Sequence, residues 1–270
     1  RLNHQTTVKS GVMAAECGEM LSAFFTERRQ HARRQAQPVR EDAVRTPEAP
    51  FENLPGYPWA PHYVGDLPAL AGLRLHYLDE GPLSAPRTWL CLHGNPGWSY
   101  LFRKMIPVFL AAGDRVVAPD LPGFGKCDKA KRETAHSFTW HRQVLLELVE
   151  RLDLRHVVLV VQGFGGVLGL TLPMAAPDRY TGLLAMNTLM GTGEGPLSPG
   201  FFAGRDWCAK NPDYPVSSLL ARGNPHLSPQ ECAAYDAPFP DRGHRAAVRA
   251  FPALIPSTAH HDGAEVSREA

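Results

Sequence analysis

At 270 residues the chain is long enough for one large domain, or for a core with a second small unit. Its 44% hydrophobic and 20% charged residues are ordinary for a soluble globular protein, and a formal net charge of +1 gives no reason to expect nucleic acid or an anionic membrane as partner. No apolar run approaches the roughly 18 residues of a membrane span, and the five scattered cysteines, Cys17, Cys91, Cys127, Cys208 and Cys232, with no C-x-x-C pair, argue against both a disulfide framework and a zinc site.

Residues 1–45 differ in composition from the rest and read as a weakly ordered N-terminal extension. A helix over Val12–Gln35 is possible, basic at its end through Arg28, Arg29, Arg33 and Arg34. Glu16, Glu19 and Glu27 argue against a transit peptide, and no secretory signal is visible; the scattered cysteines are expected to be reduced thiols of a cytoplasmic protein. From about Phe51 short apolar strands are predicted at Leu73–Asp79, Thr88–His93, Arg115–Pro119, His156–Gln162 and Gly182–Asn187. Helical periods lie between them at Ser99–Ala112, Phe138–Leu152 and Gly166–Ala176. Strands alternating with helices predict an α/β core over 46–188, a mostly parallel sheet covered on both faces. Ligands of such sheets bind outside the carboxyl ends of the strands. From Leu189 the alternation stops. Short helical pieces at Val216–Ala221, Ser228–Tyr235 and Arg245–Phe251 predict a helical cap over 189–270.

Three predicted strands end in motifs that carry chemistry. Leu92-His93-Gly94-Asn95-Pro96-Gly97-Trp98 contains an H-G-x-P turn, which in α/β-hydrolases offers a backbone N–H to an oxyanion hole. Asp120-Leu121-Pro122-Gly123-Phe124-Gly125-Lys126-Cys127-Asp128 reads alone as a Gly-Pro loop. Val160-Val161-Gln162-Gly163-Phe164-Gly165-Gly166, between a strand and a helix, has the setting of a nucleophile elbow. Gly165 and Gly166 suit its tight packing, but the nucleophile position falls on Gly163, which has no side chain to attack anything. A dinucleotide-binding G-x-G-x-x-G fails here because its last position is Leu168.

With these motifs in view, the run from about Ala43 to Phe251 resembles the haloalkane dehalogenases, in particular the subfamily whose halide site is made of two tryptophans. The resemblance rests on Tyr77-Leu78-Asp79-Glu80-Gly81, the H-G-x-P-x-W-S-Y run, Arg103-Lys104-Met105-Ile106-Pro107-Val108, Glu147–Leu154 and Leu170-Thr171-Leu172-Pro173-Met174-Ala175. Gly200-Phe201 and Ala237-Pro238-Phe239-Pro240-Asp241 extend it into the cap.

The resemblance implies an α/β-hydrolase fold and hydrolysis of carbon–halogen bonds in small haloalkanes. An elbow aspartate would form an alkyl ester, and a histidine oriented by a second acid would hydrolyse it. It implies oxyanion-hole N–H groups at Asn95 and Phe164, and a halide and substrate pocket from Phe164, Val167, Phe201, Gly204, Pro240 and, in a shifted contact, Trp207. Phe164 and Gly204 stand where the two tryptophans would be. The acid and the histidine belong to two strands that follow the cap in the family, so the expected sheet is truncated before them and neither residue is in the chain; His260 and His261 are expected to face solvent. His93, Asp120 and Asp128 read as structural, and Cys127 stands where related sequences usually have serine. The expected partner is a small apolar, halogenated molecule bound by a monomer without metal or organic cofactor, and catalysis is expected to be lost. A non-catalytic ligand-binding pseudoenzyme and a degraded or truncated gene product remain as alternatives. Epoxide hydrolysis fails on the same glycine, and Tyr214 and Tyr235 make no recognisable cap tyrosine pair.

Overall fold

A computed structural model describes residues 18–24 and 38–270. Residues 18–24 are helical and belong to a unit that ends at Pro38; the second unit runs from Val39 to Ala270. The remainder of the helix considered over Val12–Gln35, and the weak order expected of the extension, lie outside the described residues. The boundary expected at residue 45 moves to 38/39, because β1 (Ala43–Val44) pairs with β6 (Lys129–Ala130) and Arg45 makes a two-pronged ion pair with Asp128 at 2.6 and 2.9 Å.

The main sheet has the order β2-β3-β5-β4-β7-β8: β2 is His62–Val64, β3 Leu75–Glu80, β5 Arg115–Pro119, β4 Thr88–Leu92, β7 Val157–Gln162 and β8 Tyr180–Met186. β2/β3 and β3/β5 are antiparallel, whereas β5/β4, β4/β7 and β7/β8 are parallel. The continuous apolar runs of β4, β5 and β7 fit this placement. A strand covered on both faces has no polar face to alternate with, and Leu90, Cys91, Leu92, Val116, Val117, Val160 and Val161 are buried. β2, β1 and β6 are too short to stand out from sequence pattern alone.

Helices pack on the sheet through periodic apolar faces. α2 (Phe138–Arg151) starts at Ser137, whose Oγ accepts from Trp140 N–H at 3.1 Å, and buries Phe138, His141, Val144, Leu145, Leu148 and Val149. The single helix expected over Ser99–Ala112 is instead a 3₁₀ stretch, Ser99–Lys104, followed by α1, Ile106–Ala111. Pro107 can occupy only the first turn of a new helix, because it has no N–H to donate further in. Likewise α3 (Phe164–Gly169) ends before Pro173, and 3₁₀ turns replace the expected continuation.

The region after residue 188 contains α4 (Pro199–Lys210), α5 (Val216–Gly223), α6 (Pro229–Asp236), α7 (Ala246–Ala250) and α8 (Ala264–Glu269). It is fastened to the loops after the central strands. Asn95 Nδ2 donates to Val248 O at 3.1 Å, Trp98 Nε1 to Ala234 O at 3.1 Å, and Thr46 Oγ1 to Pro238 O at 2.8 Å. Buried Arg103 pairs with Glu231, the residue that closes the capping box of α6 with Ser228. Phe239 and Phe251 meet Phe124 edge-on, with centroids at 6.1 and 4.6 Å.

Candidate active site

The parallel strands β4, β5 and β7 end on the same side of the sheet, and the turns that follow them are each held by specific contacts. After β5, Asp120 is fully buried and its carboxylate accepts from Ser99 N–H at 2.7 Å, Lys126 N–H at 2.9 Å and His76 Nδ1–H at 2.7 Å. Burial alone would raise its pKa, but His76, its hydrogen bonds and His93 outweigh that and hold the carboxyl well below the usual range. Burial pulls the His76 pKa below its ordinary value, opposed by the charge and hydrogen bond of Asp120. A Cβ at Gly125 would fall on the Asp120 carboxylate, so only glycine fits that turn.

After β4, His93 is buried with both ring nitrogens used: Nε2 accepts from Leu121 N–H at 2.9 Å, which leaves Nδ1–H to donate to Gly94 O at 3.0 Å. His93 therefore ties the β4 turn to the β5 loop and has no nitrogen left for a substrate. Gly94 N–H donates to Gln162 Oε1 at 3.2 Å, an approach that a Cβ at Gly94 would block, since it would lie 2.5 Å from the same oxygen. Gln162 thus joins the β4 turn to the end of β7.

The chain then makes a sharp strand-to-helix turn at Gly163, with φ +52° and ψ −123°. Gly163 N–H donates to Met186 O at 3.2 Å, and Thr188 Oγ1–H donates to Gly163 O at 2.6 Å. Cβ atoms at Gly165 and Gly166 would meet the Leu92 carbonyl and the Thr188 side chain. At Gly163 itself a Cβ would meet only Gly94 Cα, at 3.6 Å, which is ordinary contact. The turn has the form of an elbow with open space at the Cβ position, although its positive φ strains any side chain there.

A cavity of about 430 Å³ opens above this turn, its walls including Asn95, Phe164, Phe201, Gly204, Trp207 and Tyr214, with Arg205 and Arg222 also lining it. Phe164 rests against Phe251 at 5.8 Å, and Trp207 lies 5.1 Å from Tyr214. Two expected pocket residues lie elsewhere. Val167 is buried within α3 on the core side, and Pro240 is exposed outside the cavity.

Residues 89–215 match the family described as the alpha/beta hydrolase fold. The chain is 42% identical over 229 residues to a haloalkane dehalogenase of Psychrobacter cryohalolentis, covering 84% of this chain and 75% of that protein. It is 40% identical over 230 residues to a haloalkane dehalogenase of Mycolicibacterium paratuberculosis, covering 84% and 76%. The tetrameric haloalkane dehalogenase structure from Paraglaciecola agarilytica superposes with a TM-score of 0.82 at 44% identity, covering 84% of this chain and 76% of that one. The chain belongs to the haloalkane dehalogenase family.

As a dehalogenase-family chain it has the α/β-hydrolase sheet expected from its sequence. Among the described residues the cavity walls contain no histidine and no carboxylate. His260 is exposed and His261, contrary to expectation, is half-buried, its Nδ1 facing Ser257 N–H at 3.3 Å; both line a separate polar groove of about 770 Å³ beside Thr139. Asp128 accepts from Arg74 N–H at 2.9 Å and from Arg45. Cys127 is buried among His76, Asp120 and Lys129, and burial pushes its thiol far up, so it offers no thiolate. Tyr214 lines the cavity while the Tyr235 hydroxyl accepts from Arg103 at 3.2 Å, so the two do not face one ligand. Among the described residues no group of three or more His, Cys, Asp or Glu side chains could hold a metal. No described helix is long and apolar enough to cross a membrane.

Sequence reasoning did not assign Gln162 to the turn, nor Arg222 and Cys208, which also line the cavity, and it weighed Tyr214 only as half of a tyrosine pair. Gln162 stood beside the nucleophile position, and its side chain is the one that a strand end can turn toward the neighbouring loop. Helix α4, which brings Phe201, Gly204 and Trp207 to the cavity, was also missed, although Ser198 followed by Pro199 is a helix-start signal.

Proposed function

We propose that this chain binds a small apolar, haloalkane-like molecule under a helical cap formed by residues 189–270, and does not hydrolyse it. The observation that carries the reading is Gly163. The family reaction displaces halide from an sp³ carbon by a carboxylate, and this elbow presents only backbone at the attacking position. Asn95 and Phe164 supply the oxyanion-hole N–H groups in this reading, and both line the cavity. Phe164, as the first residue of α3, has an N–H with no acceptor inside the helix. Those donors act on a carbonyl oxygen, which does not arise until an ester exists, so they cannot replace the nucleophile. Among the described residues neither a histidine nor a carboxylate lines the cavity, so none of them is placed to activate water instead. Phe164 offers no indole N–H to a leaving halide. Among the described residues Trp207 is the tryptophan in the walls.

The test is halide release from 1,2-dibromoethane and 1-bromobutane. No sustained release is expected, because loss of the nucleophile from a catalytic set costs about 10⁶ in turnover. Quenching of tryptophan emission by 1-bromobutane, abolished on filling the cavity with Phe201→Trp, reports the binding half of the proposal. Gly163→Asp, for which the turn has room, is expected to gain the mass of one butyl group as the carboxylate displaces one bromide. Multiple turnovers by the unmodified chain overturn the reading.

A further inference from the structure

A second groove, of about 640 Å³, shares no lining residue with the elbow cavity and is bounded by Phe51, Asn53, Tyr57, Trp59 and Lys126 among others. Lys126 belongs to the loop after β5, and its backbone N–H is held by Asp120. Its side chain runs beneath the groove and is only 9% exposed. The ammonium lies over the face of Phe51, 5.2 Å from the ring centre, and forms no hydrogen bond or ion pair with any described residue. Its two electrostatic neighbours of opposite sign are already engaged: Glu48 with Tyr63 and Arg74, Asp120 with Ser99, His76 and the Lys126 amide.

The stem of Lys126 is enclosed while its ammonium keeps contact with solvent in the groove, without a paired counter-charge. Burial accordingly pulls Lys126 below the ordinary lysine range, opposed by Glu48 and Asp120 and reinforced by Arg74. The structure therefore holds a cation directed into a groove, with its fixed anions committed elsewhere. The walls around it are aromatic: Tyr57 is buried with its hydroxyl bonded to Ser99 Oγ at 2.6 Å, and Trp59 packs edge-on to it at 5.4 Å. The groove falls within the usual size range of small-molecule sites.

We propose that this groove is a second ligand site that takes a small monocarboxylate with a flat apolar body, its carboxylate paired with the Lys126 ammonium and its body against Trp59 and Phe51. Among the described residues Lys126 is the one charged residue in the lining, which matches a single negative charge and disfavours a phosphate dianion. The flat body follows from the aromatic walls, against which a planar group covers most area for least lost freedom. Water alone in the groove is the competing account.

The probe is 2-naphthoate, titrated into the 270-residue chain by calorimetry, with neutral 2-naphthamide as the comparison. Naphthoate is expected to bind at least about tenfold more tightly than the amide, and Lys126→Gln to erase that difference, as loss of a charge-assisted hydrogen bond requires. Because Lys126 is buried, Trp59→Ala provides a second variant that truncates a half-buried side chain. It is expected to weaken naphthoate about fivefold while leaving the preference over the amide intact. Binding that is absent, equal for the two probes, or unaltered in both variants overturns the proposal, and so does displacement of naphthoate by 1-bromobutane, which would place it in the elbow cavity instead.

Discussion

The loop after β5 and the elbow after β7 end neighbouring parts of one sheet, yet they are held in opposite ways. The β5 loop is organised by side chains: Asp120 gathers two backbone amides and His76, and Asp128 gathers Arg45 and the Arg74 amide. The elbow is organised by backbone and by what lies behind it: Gln162, Thr188 and the close approach of Gly165 to Leu92. Nothing in that second set depends on the side chain at Gly163. The difference teaches that the shape of such an elbow need not depend on the side chain at its turn, because the forces that bend it lie in Gln162, Thr188 and the approach of Gly165 to Leu92. It also separates two kinds of importance. Asp120 is expected to matter to folding and not to chemistry, and position 163 to chemistry and little to folding.

The strongest challenge to that contrast is Asp120→Ala. It leaves two amides and His76 buried without their acceptor, so a loss of about 3–5 kcal/mol is expected in urea unfolding. A loss below 1 kcal/mol, within the range of ordinary surface changes, would mean that the β5 loop is not held by its carboxylate.

A pH series examines the same side of the molecule. His136 and His141 lie buried near the β5 loop, with Nδ1 of the first 3.1 Å from Nε2 of the second and the rings stacked at 5.3 Å. Burial, only partly offset by the Ala130 carbonyl and Glu133, pulls His136 from its ordinary 6.5 down to about 4; burial and the neighbouring His136 and His93 push His141 down as well. Below pH 6.5 the unfolded chain takes up protons that the folded one refuses. Stability is thus fully present above 6.5 and is lost as pH falls toward 4, by about 3 kcal/mol from His136 alone. His136→Leu is expected to flatten the urea midpoint over this window, whereas Asp120, held below its ordinary 3.8, acts only at still lower pH. A midpoint in the unmodified chain that stays constant from pH 7 to 4 contradicts the burial of the pair.

How much of this was legible from sequence follows the same division. β4, β5 and β7 were readable because burial on both faces demands unbroken apolar runs, and the elbow because glycines mark where backbones touch. The breaks at Met105 and after Gly169 were blurred because apolar periodicity continues across them while the backbone changes helix type. Pocket membership was less readable: Val167 and Pro240 carry the right chemistry, but facing depends on helix rotation and on the path of a loop. Lys126 gave no signal, since a lysine in a Gly-rich loop looks solvated until tertiary packing encloses it.

Gly163→Ala is expected to cost about 1–2 kcal/mol, the penalty of an L-residue at positive φ, because the added methyl meets only Gly94 Cα. Gly165→Ala should cost more, since its Cβ would fall on the Leu92 carbonyl and move backbone. If the two were equally damaging, position 163 would be steric in origin and not merely a vacated chemical position.

The smallest effect on stability is expected at β8, where the contrast becomes one between strands. β7 buries both faces, whereas β8 exposes Leu183 at 56% and Leu184 at 37%. Successive strand residues point to opposite faces, so two adjacent exposed leucines mean that both faces of β8 are uncovered. Among the described residues β8 also pairs with β7 alone. An exposed apolar edge of this kind favours self-association over monomer and binds apolar dyes. Leu183→Lys with Leu184→Lys removes apolar surface without opening the core, so urea stability should change by less than about 0.5 kcal/mol. Anilinonaphthalene sulfonate emission and the associated fraction in analytical ultracentrifugation should both fall. If the double variant instead unfolds, those leucines are covered in solution, and β8 is not an edge.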